Sequence, residues 1–153
     1  MEEIILNKQQ FQSPPFGLHD AVITEMRLKD EIVELRFKDG ITVNREPFEK
    51  TGPAVIEIRN VDPDFCTVTW LKPTEKEKLK GKRLSLTDFL PVRFGNGITV
   101  VSELHGYNRV SFRGVMFRRR KGSRSRKMVE VELDVYYFGD MVYFIEEKRH
   151  AEK

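Results

Sequence analysis

The sequence predicts an all-β or β-dominated α+β fold, an antiparallel sandwich or partly open barrel with one or two short helical turns. Two observations carry this prediction. Short apolar-rich runs alternate with polar residues at the period of a strand, and turn-forming residues separate these runs at short intervals. The 153 residues can bury roughly two-thirds of the surface of the extended chain, so 1–153 is expected to form a single domain.

The clearest strand signal lies in the C-terminal third of the chain, where apolar and acidic residues alternate from 129 to 135. A hairpin centred near Gly122-Ser123 pairs this run with 109–117. The expected apolar pairs are Val110–Val135, Phe112–Leu133, Gly114–Val131 and Met116–Val129. On the other face Arg113 meets Glu132, and a slip of one residue would set apolar side chains opposite acidic ones.

Further strands are expected at 21–28, 32–37, 41–43, 54–61, 65–71, 98–104 and 141–145. Asp39-Gly40 indicates a hairpin turn between two of them, because glycine accepts the positive φ of a tight turn. Gly139-Asp140 has glycine first, which favours a type II′ turn into the last strand. The charged residues 146–153 are expected to fray.

One segment of the chain lacks the strand pattern. Thr74 and Glu77 have the spacing of a capping box, which predicts a short solvated helix or a charged loop at 74–80. Residues 85–90 predict a second helical turn that Pro91 closes.

The net charge of +3 hides an uneven distribution. Residues 1–71 contain 8 basic and 13 acidic side chains, residues 72–127 contain 16 and 4, and residues 128–153 contain 3 and 7. This pattern argues against a uniformly basic protein that coats nucleic acid. An anionic partner is expected to meet the middle segment.

The most unusual feature is a run of seven cations without an acid, predicted to form a flexible basic hairpin loop at 118–127. The candidate binding residues are Arg118, Arg119, Arg120, Lys121, Arg124, Arg126 and Lys127. Guanidinium groups bind carboxylates and phosphates alike, so an acidic protein or membrane surface and nucleic acid are both open, as is a solvated loop without a partner. Stacking on nucleic-acid bases would require Phe117 or Tyr136, and no formal nucleic-acid motif occurs.

Two histidines in similar segments, Leu18-His19-Asp20 and Leu104-His105-Gly106, are the candidates for a metal site. A metal-dependent enzyme using His19, Asp20 and His105 is a remote alternative, because no third ligand motif accompanies them. The favoured interpretation makes both segments strand-entry turns with Leu18 and Leu104 in the core. Cys66 is expected to be a buried small hydrophobe, so neither catalysis nor a cofactor is expected.

A single cysteine excludes an internal disulfide and fits a reducing compartment. The acidic start of the chain does not have the pattern of a signal peptide, and no apolar run approaches the length of a membrane span. A cytoplasmic protein is therefore expected.

The segment Leu18-His19-Asp20-Ala21-x-Ile23, followed by 32–37 and Asp39-Gly40, resembles the opening of small uncharacterised bacterial proteins, some of them immunity proteins that neutralise a neighbouring toxin. The resemblance covers about the first third of the chain. It implies a cytosolic, non-enzymatic, β-rich protein that binds another protein. The basic run at 118–127 is not part of that pattern.

Overall fold

The structure is a computed structural model that describes residues 1–8, 13–73, 79–93, 97–119 and 126–147. Of residues 72–73, 79–80, 91–93, 118–119 and 126–127 only the backbone is described. Two large antiparallel sheets pack as a sandwich that does not close into a barrel. The predicted β-dominated antiparallel sandwich is confirmed.

The two large sheets and a small two-stranded sheet account for the strands of the described residues. The five-stranded sheet runs in the order β1 (Glu2–Ile5), β13 (Met141–Ile145), β7 (Ala54–Arg59), β5 (Ile32–Phe37) and β4 (Glu25–Lys29). The six-stranded sheet runs in the order β3 (Val22–Ile23), β10 (Ile98–Gly106), β11 (Arg109–Arg119), β12 (Arg126–Tyr136), β8 (Thr67–Pro73) and β9 (Leu79–Ser85). The small sheet pairs β2 (Phe16–Gly17) with β6 (Thr42–Val43). A 3₁₀ turn spans Pro63–Phe65 and the helix α1 spans Leu86–Arg93.

The core lies between the two large sheets, and its residues come from alternate strand positions. In β5, for example, Val33, Leu35 and Phe37 are buried, whereas Arg36 between them is exposed. β12 contributes its apolar positions from the opposite sheet. Burying a large apolar side chain stabilises the fold by roughly 1.5–3 kcal/mol, so this shared core holds the two sheets together.

The predicted hairpin register of β11 and β12 is confirmed. Val110 lies opposite Val135, Met116 opposite Val129, and Arg113 opposite Glu132. This register implies a turn centred at Gly122-Ser123, which lies outside the described residues.

Both glycine turns that the sequence predicts as hairpins instead carry the chain between sheets. After Gly40 (φ +83°) the chain leaves the five-stranded sheet and pairs with β2, and after Gly139 it leaves the six-stranded sheet and pairs with β1 and β7. Gly139 does not have the positive φ that a type II′ turn requires. The tight two-residue hairpin of this region lies at Asp30-Glu31, where φ is 54° and 60°.

The prediction for 74–80 is wrong where it can be examined. Leu79 and Lys80 belong to β9, which pairs with β8 at the edge of the six-stranded sheet, and 74–78 lie outside the described residues. Charged residues are typical of edge strands because they discourage pairing with another chain, so a charged edge strand resembles a loop in sequence.

The second predicted helical turn exists as α1, where the Ser85 hydroxyl accepts a hydrogen bond from the Asp88 backbone at 3.1 Å. The helix includes Pro91 and ends at Arg93, three residues beyond the predicted 85–90.

The charged C-terminal segment is fixed at its first residue. The Glu146 backbone nitrogen donates to the Pro53 carbonyl at 3.0 Å, and the Glu146 carbonyl accepts from Gly52 at 3.0 Å. Residues 148–153 lie outside the described residues.

We expect Gly114→Ala to destabilise the protein by about 1–3 kcal/mol, because a Cβ there would lie 2.5 Å from the Thr99 carbonyl oxygen of the neighbouring strand. Urea unfolding measures the loss. Gly17→Ala is the matched control, since a Cβ there meets nothing within 4 Å. Equal stability of the two variants would contradict the tight packing of β11 against β10.

Candidate functional site

Two hairpins reach the same end of the six-stranded sheet. β12 is antiparallel to both β11 and β8, so β11 and β8 end, and β12 begins, at the same end of the sheet. Pairing of β11 and β12 with their outer neighbours ends at Val115 and Glu130, while their mutual pairing continues to Arg119 and Arg126. The two strands therefore form a ribbon beyond the four-stranded overlap.

Cations occupy directly opposed positions in both hairpins. We call this region the basic end, and it comprises Lys72, Lys80, Arg118, Arg119, Arg126 and Lys127. Lys82 and Arg83 continue along β9 toward the middle of the sheet, where they pair with Trp70 and Thr69. Arg118 pairs with Lys127, Arg119 with Arg126, and Lys72 with Lys80. Like charges directly opposite each other on neighbouring strands destabilise a sheet, by amounts of up to about 1 kcal/mol per pair.

The exposed cations of β9 differ from the arginines of the five-stranded sheet in their ion pairing. There each arginine has a glutamate two residues before it on the same strand, and the ion pairs are Glu25–Arg27, Glu34–Arg36 and Glu57–Arg59. Lys82 and Arg83, by contrast, are exposed and make no ion pair within the described part of the chain. The five-stranded sheet thus neutralises its own charges locally, whereas β9 leaves its cations available.

The structure brings the sequence candidates together in part. Arg118, Arg119, Arg126 and Lys127 have strand backbone and form the outer part of the β11–β12 ribbon. Arg120, Lys121 and Arg124 lie outside the described residues. The sequence did not predict that β8 and β9 would lie beside the β11–β12 ribbon, although the excess of basic residues at 72–83 was a visible signal.

The two aromatic candidates lie at opposite ends of β11 and β12. Phe117 pairs with Met128 at the base of the ribbon, and both side chains are about half exposed. Tyr136 pairs with Arg109 at the far end of the same hairpin. Of the two predicted stacking residues, only Phe117 is adjacent to the basic end.

The two histidines are not in one site. His19 is exposed and its Nδ1 lies 3.1 Å from Oδ2 of the exposed Asp20. The His105 side chain is buried, with Nε2 3.5 Å from Oε2 of Glu103. Within the described ranges, no three His, Cys, Asp or Glu side chains are arranged to hold a metal ion.

A β-bulge explains the different surroundings of the two histidine segments. The register of β10 shifts between Val100 and Ser102, after which Leu104 is exposed and His105 faces the core. Leu18 is fully buried as expected, but the expectation that Leu104 lies in the core is wrong.

Cys66 is fully buried, as predicted, and its Sγ lies 3.9 Å from the Tyr136 carbonyl oxygen. Burial raises the pKa of this thiol, so the thiol stays protonated at neutral pH and is a poor nucleophile.

Tyr137 and Tyr143 are fully buried in the core, and burial shifts the pKa of both phenols. The hydroxyls of Tyr137 and Tyr143 have no hydrogen-bond partner among the described residues. Burial is the main cause that raises the pKa of each phenol, and the nearby Glu103 carboxylate adds to the effect at Tyr143. Both phenols are neutral in the folded protein over the ordinary pH range.

Comparison with known proteins gives no relative: no family model, no curated protein and no solved structure matches the chain. Among the described residues, no helix has the length and apolar character needed to cross a membrane.

We expect Tyr143→Phe to stabilise the protein by about 1 kcal/mol at neutral pH, because it removes a buried hydroxyl that has no partner among the described residues. The variant should also resist alkali better. An unfolded tyrosine ionises near pH 10, whereas the folded pKa of Tyr143 is raised, so stability falls as pH rises above about 10.

Urea unfolding between neutral and alkaline pH measures both effects. The exposed Tyr107 provides the matched control, and Tyr107→Phe should leave the neutral stability unchanged. A Tyr143→Phe variant that is less stable at neutral pH, or that loses stability in alkali as steeply as the parent, would refute the assignment.

Proposed function

We propose that this chain is a non-enzymatic cytoplasmic binding protein that docks on an acidic partner protein through its basic end. The opening of the chain resembles proteins of which some are immunity proteins. The proposed function therefore includes an immunity-like role, in which the chain neutralises its partner protein.

The observation that carries the proposal is the set of cation pairs opposed across neighbouring strands. Arg118 is paired with Lys127, and Lys72 with Lys80, in the backbone register, and like charges at opposed positions destabilise a sheet. Carboxylates between the opposed cations relieve this repulsion and add charge-assisted hydrogen bonds. The basic end is therefore better suited to binding anions than to stabilising the sheet.

A protein partner is favoured by the apolar pair at the base of the ribbon. Phe117 and Met128 lie beside the cations and are about half exposed. Phenylalanine, methionine and arginine are enriched at protein interfaces. Arginine can also bind carboxylates bidentately, which adds geometric specificity to the charge attraction.

Nucleic acid remains the second candidate because of the shape of the ribbon. A two-stranded β-ribbon fits the major groove of B-DNA, which is about 12 Å wide. The β11–β12 ribbon extends four residue pairs beyond Val115–Glu130, and the neighbouring β8–β9 hairpin could contact the flanking phosphates. The exposed Phe117 offers one stacking surface.

The proposal is tested by measuring binding of the full chain to three labelled probes, polyglutamate, mixed-sequence duplex DNA and mixed-sequence RNA, at low and at physiological salt. We expect polyglutamate to bind at both salt concentrations. The triple change Arg118→Ala, Arg119→Ala, Arg120→Ala and the double change Lys82→Ala, Arg83→Ala should each weaken it about tenfold.

A charge-matched control separates the site from net charge. The double change Arg27→Gln, Arg36→Gln removes the same charge as the β9 variant, but from the ion-paired five-stranded sheet, and it should leave binding unchanged. Equal weakening by this control would refute a localised site. Tight binding of DNA or RNA, with polyglutamate binding lost at physiological salt, would replace the protein partner with nucleic acid.

A further inference from the structure

The end of the six-stranded sheet opposite the basic end carries a cluster of exposed apolar side chains. We call it the aromatic end, and its exposed members are Leu104 (70% exposed), Tyr107 (85%), Phe65 (62%) and Phe138 (61%). They come from the C-terminal end of β10, the connection to β11, the 3₁₀ turn before β8, and the segment after β12. The strand directions bring these four segments together at one end of the sheet.

A buried carboxylate fixes the centre of this surface. Asp134 Oδ1 accepts hydrogen bonds from Arg109 Nη2, at 2.9 Å, and from the buried Ser111 hydroxyl. The Arg109 guanidinium lies 5.3 Å from the Tyr136 ring centre, and the Tyr136 ring lies 6.2 Å from that of Phe65, edge to face. Phe65, Tyr136 and Arg109 thus form a row of stacked groups whose geometry is set before any partner arrives.

Such a row has the properties of an interface centre. Tyrosine and arginine dominate the residues whose removal weakens protein interfaces most, and groups that are already ordered lose little conformational freedom on binding. The five-stranded sheet, with its charged outer surface, has no comparable apolar cluster among the described residues.

We infer that the aromatic end is the interface of a two-fold symmetric dimer, with a second copy of this chain as the occupant. At the exposures given above, the four apolar side chains alone offer about 500 Å² per copy. A stable interface needs about 800 Å² per partner, so a dimer requires Arg109, Tyr136 and the surrounding polar groups to supply the remaining area.

The charges of the aromatic end suit a second copy. The Arg109 side chain binds Asp134 on one side but is still 46% exposed, and the exposed Asp64, next to Phe65, is negative. A two-fold axis sets residue i of one copy against residue j of the other and the reverse, so Arg109 and Asp64 can form the same pair twice. The arrangement also places the two basic ends at the outside of the dimer, where their mutual repulsion is smallest.

Sedimentation velocity of the full chain over a wide range of concentrations tests this inference directly. We expect a monomer–dimer equilibrium whose Kd rises about 10- to 100-fold on Tyr107→Ser and on Arg109→Ala. Circular dichroism and thermal unfolding of each diluted variant verify that the monomer is folded.

Phe48→Ser is the matched control, because Phe48 is 64% exposed but lies in the segment before β7, outside the aromatic end. Its dimer Kd should equal that of the parent. A parent chain that stays monomeric at the highest concentration overturns the inference and leaves the surface to a different protein. A dimer that persists unchanged in Tyr107→Ser and Arg109→Ala places the interface elsewhere and also overturns it. The test does not depend on anion binding, so it stands or falls separately from the proposed function.

Discussion

The register of β11 against β12 is the constraint on which both candidate surfaces depend. Its eleven residue pairs run from Arg109–Tyr136 at one end to Arg119–Arg126 at the other. A slip of one residue would expose the core side chains of the strand that slips and separate Arg109 from Asp134, since side chains alternate between faces. The same pairing that buries Phe112 against Leu133 therefore sets the opposed cations of the basic end.

A second constraint, the bulge in β10, decides which side chains of that strand are available to a partner. Between Val100 and Ser102 the alternation shifts, so Leu104 joins the exposed aromatic end and His105 is buried beside Glu103. Without this shift, the leucine and not the histidine would lie in the core. One extra residue in a strand thus buries His105 and supplies an exposed apolar group to the surface.

The features that depend on local alternation of apolar and polar residues were predicted from the sequence. The features that depend on which strands pair with each other were missed. The β11–β12 pairing followed from apolar positions and one basic loop. The edge strand β9 was missed because its alternation involves lysine and glycine more than apolar residues. Gly40 and Gly139 were correctly identified as turns, but a turn residue does not specify whether the chain returns to the same sheet. The cations at 118–127 were visible in sequence, whereas the proximity of β8 and β9 required the strand order.

Charge placement, more than total charge, distinguishes the two sheets. In the five-stranded sheet, Glu-x-Arg occurs on three strands, and each arginine is paired within its own strand. Such pairs contribute little stability when exposed, but they cancel each other's field within a few ångströms. With a screening length of about 8 Å at physiological salt, an anionic surface is attracted more by exposed cations such as Lys82 and Arg83, which make no ion pair among the described residues, than by the paired arginines. A net charge of +3 can therefore orient a partner strongly, because its positive charge is concentrated at one end of one sheet.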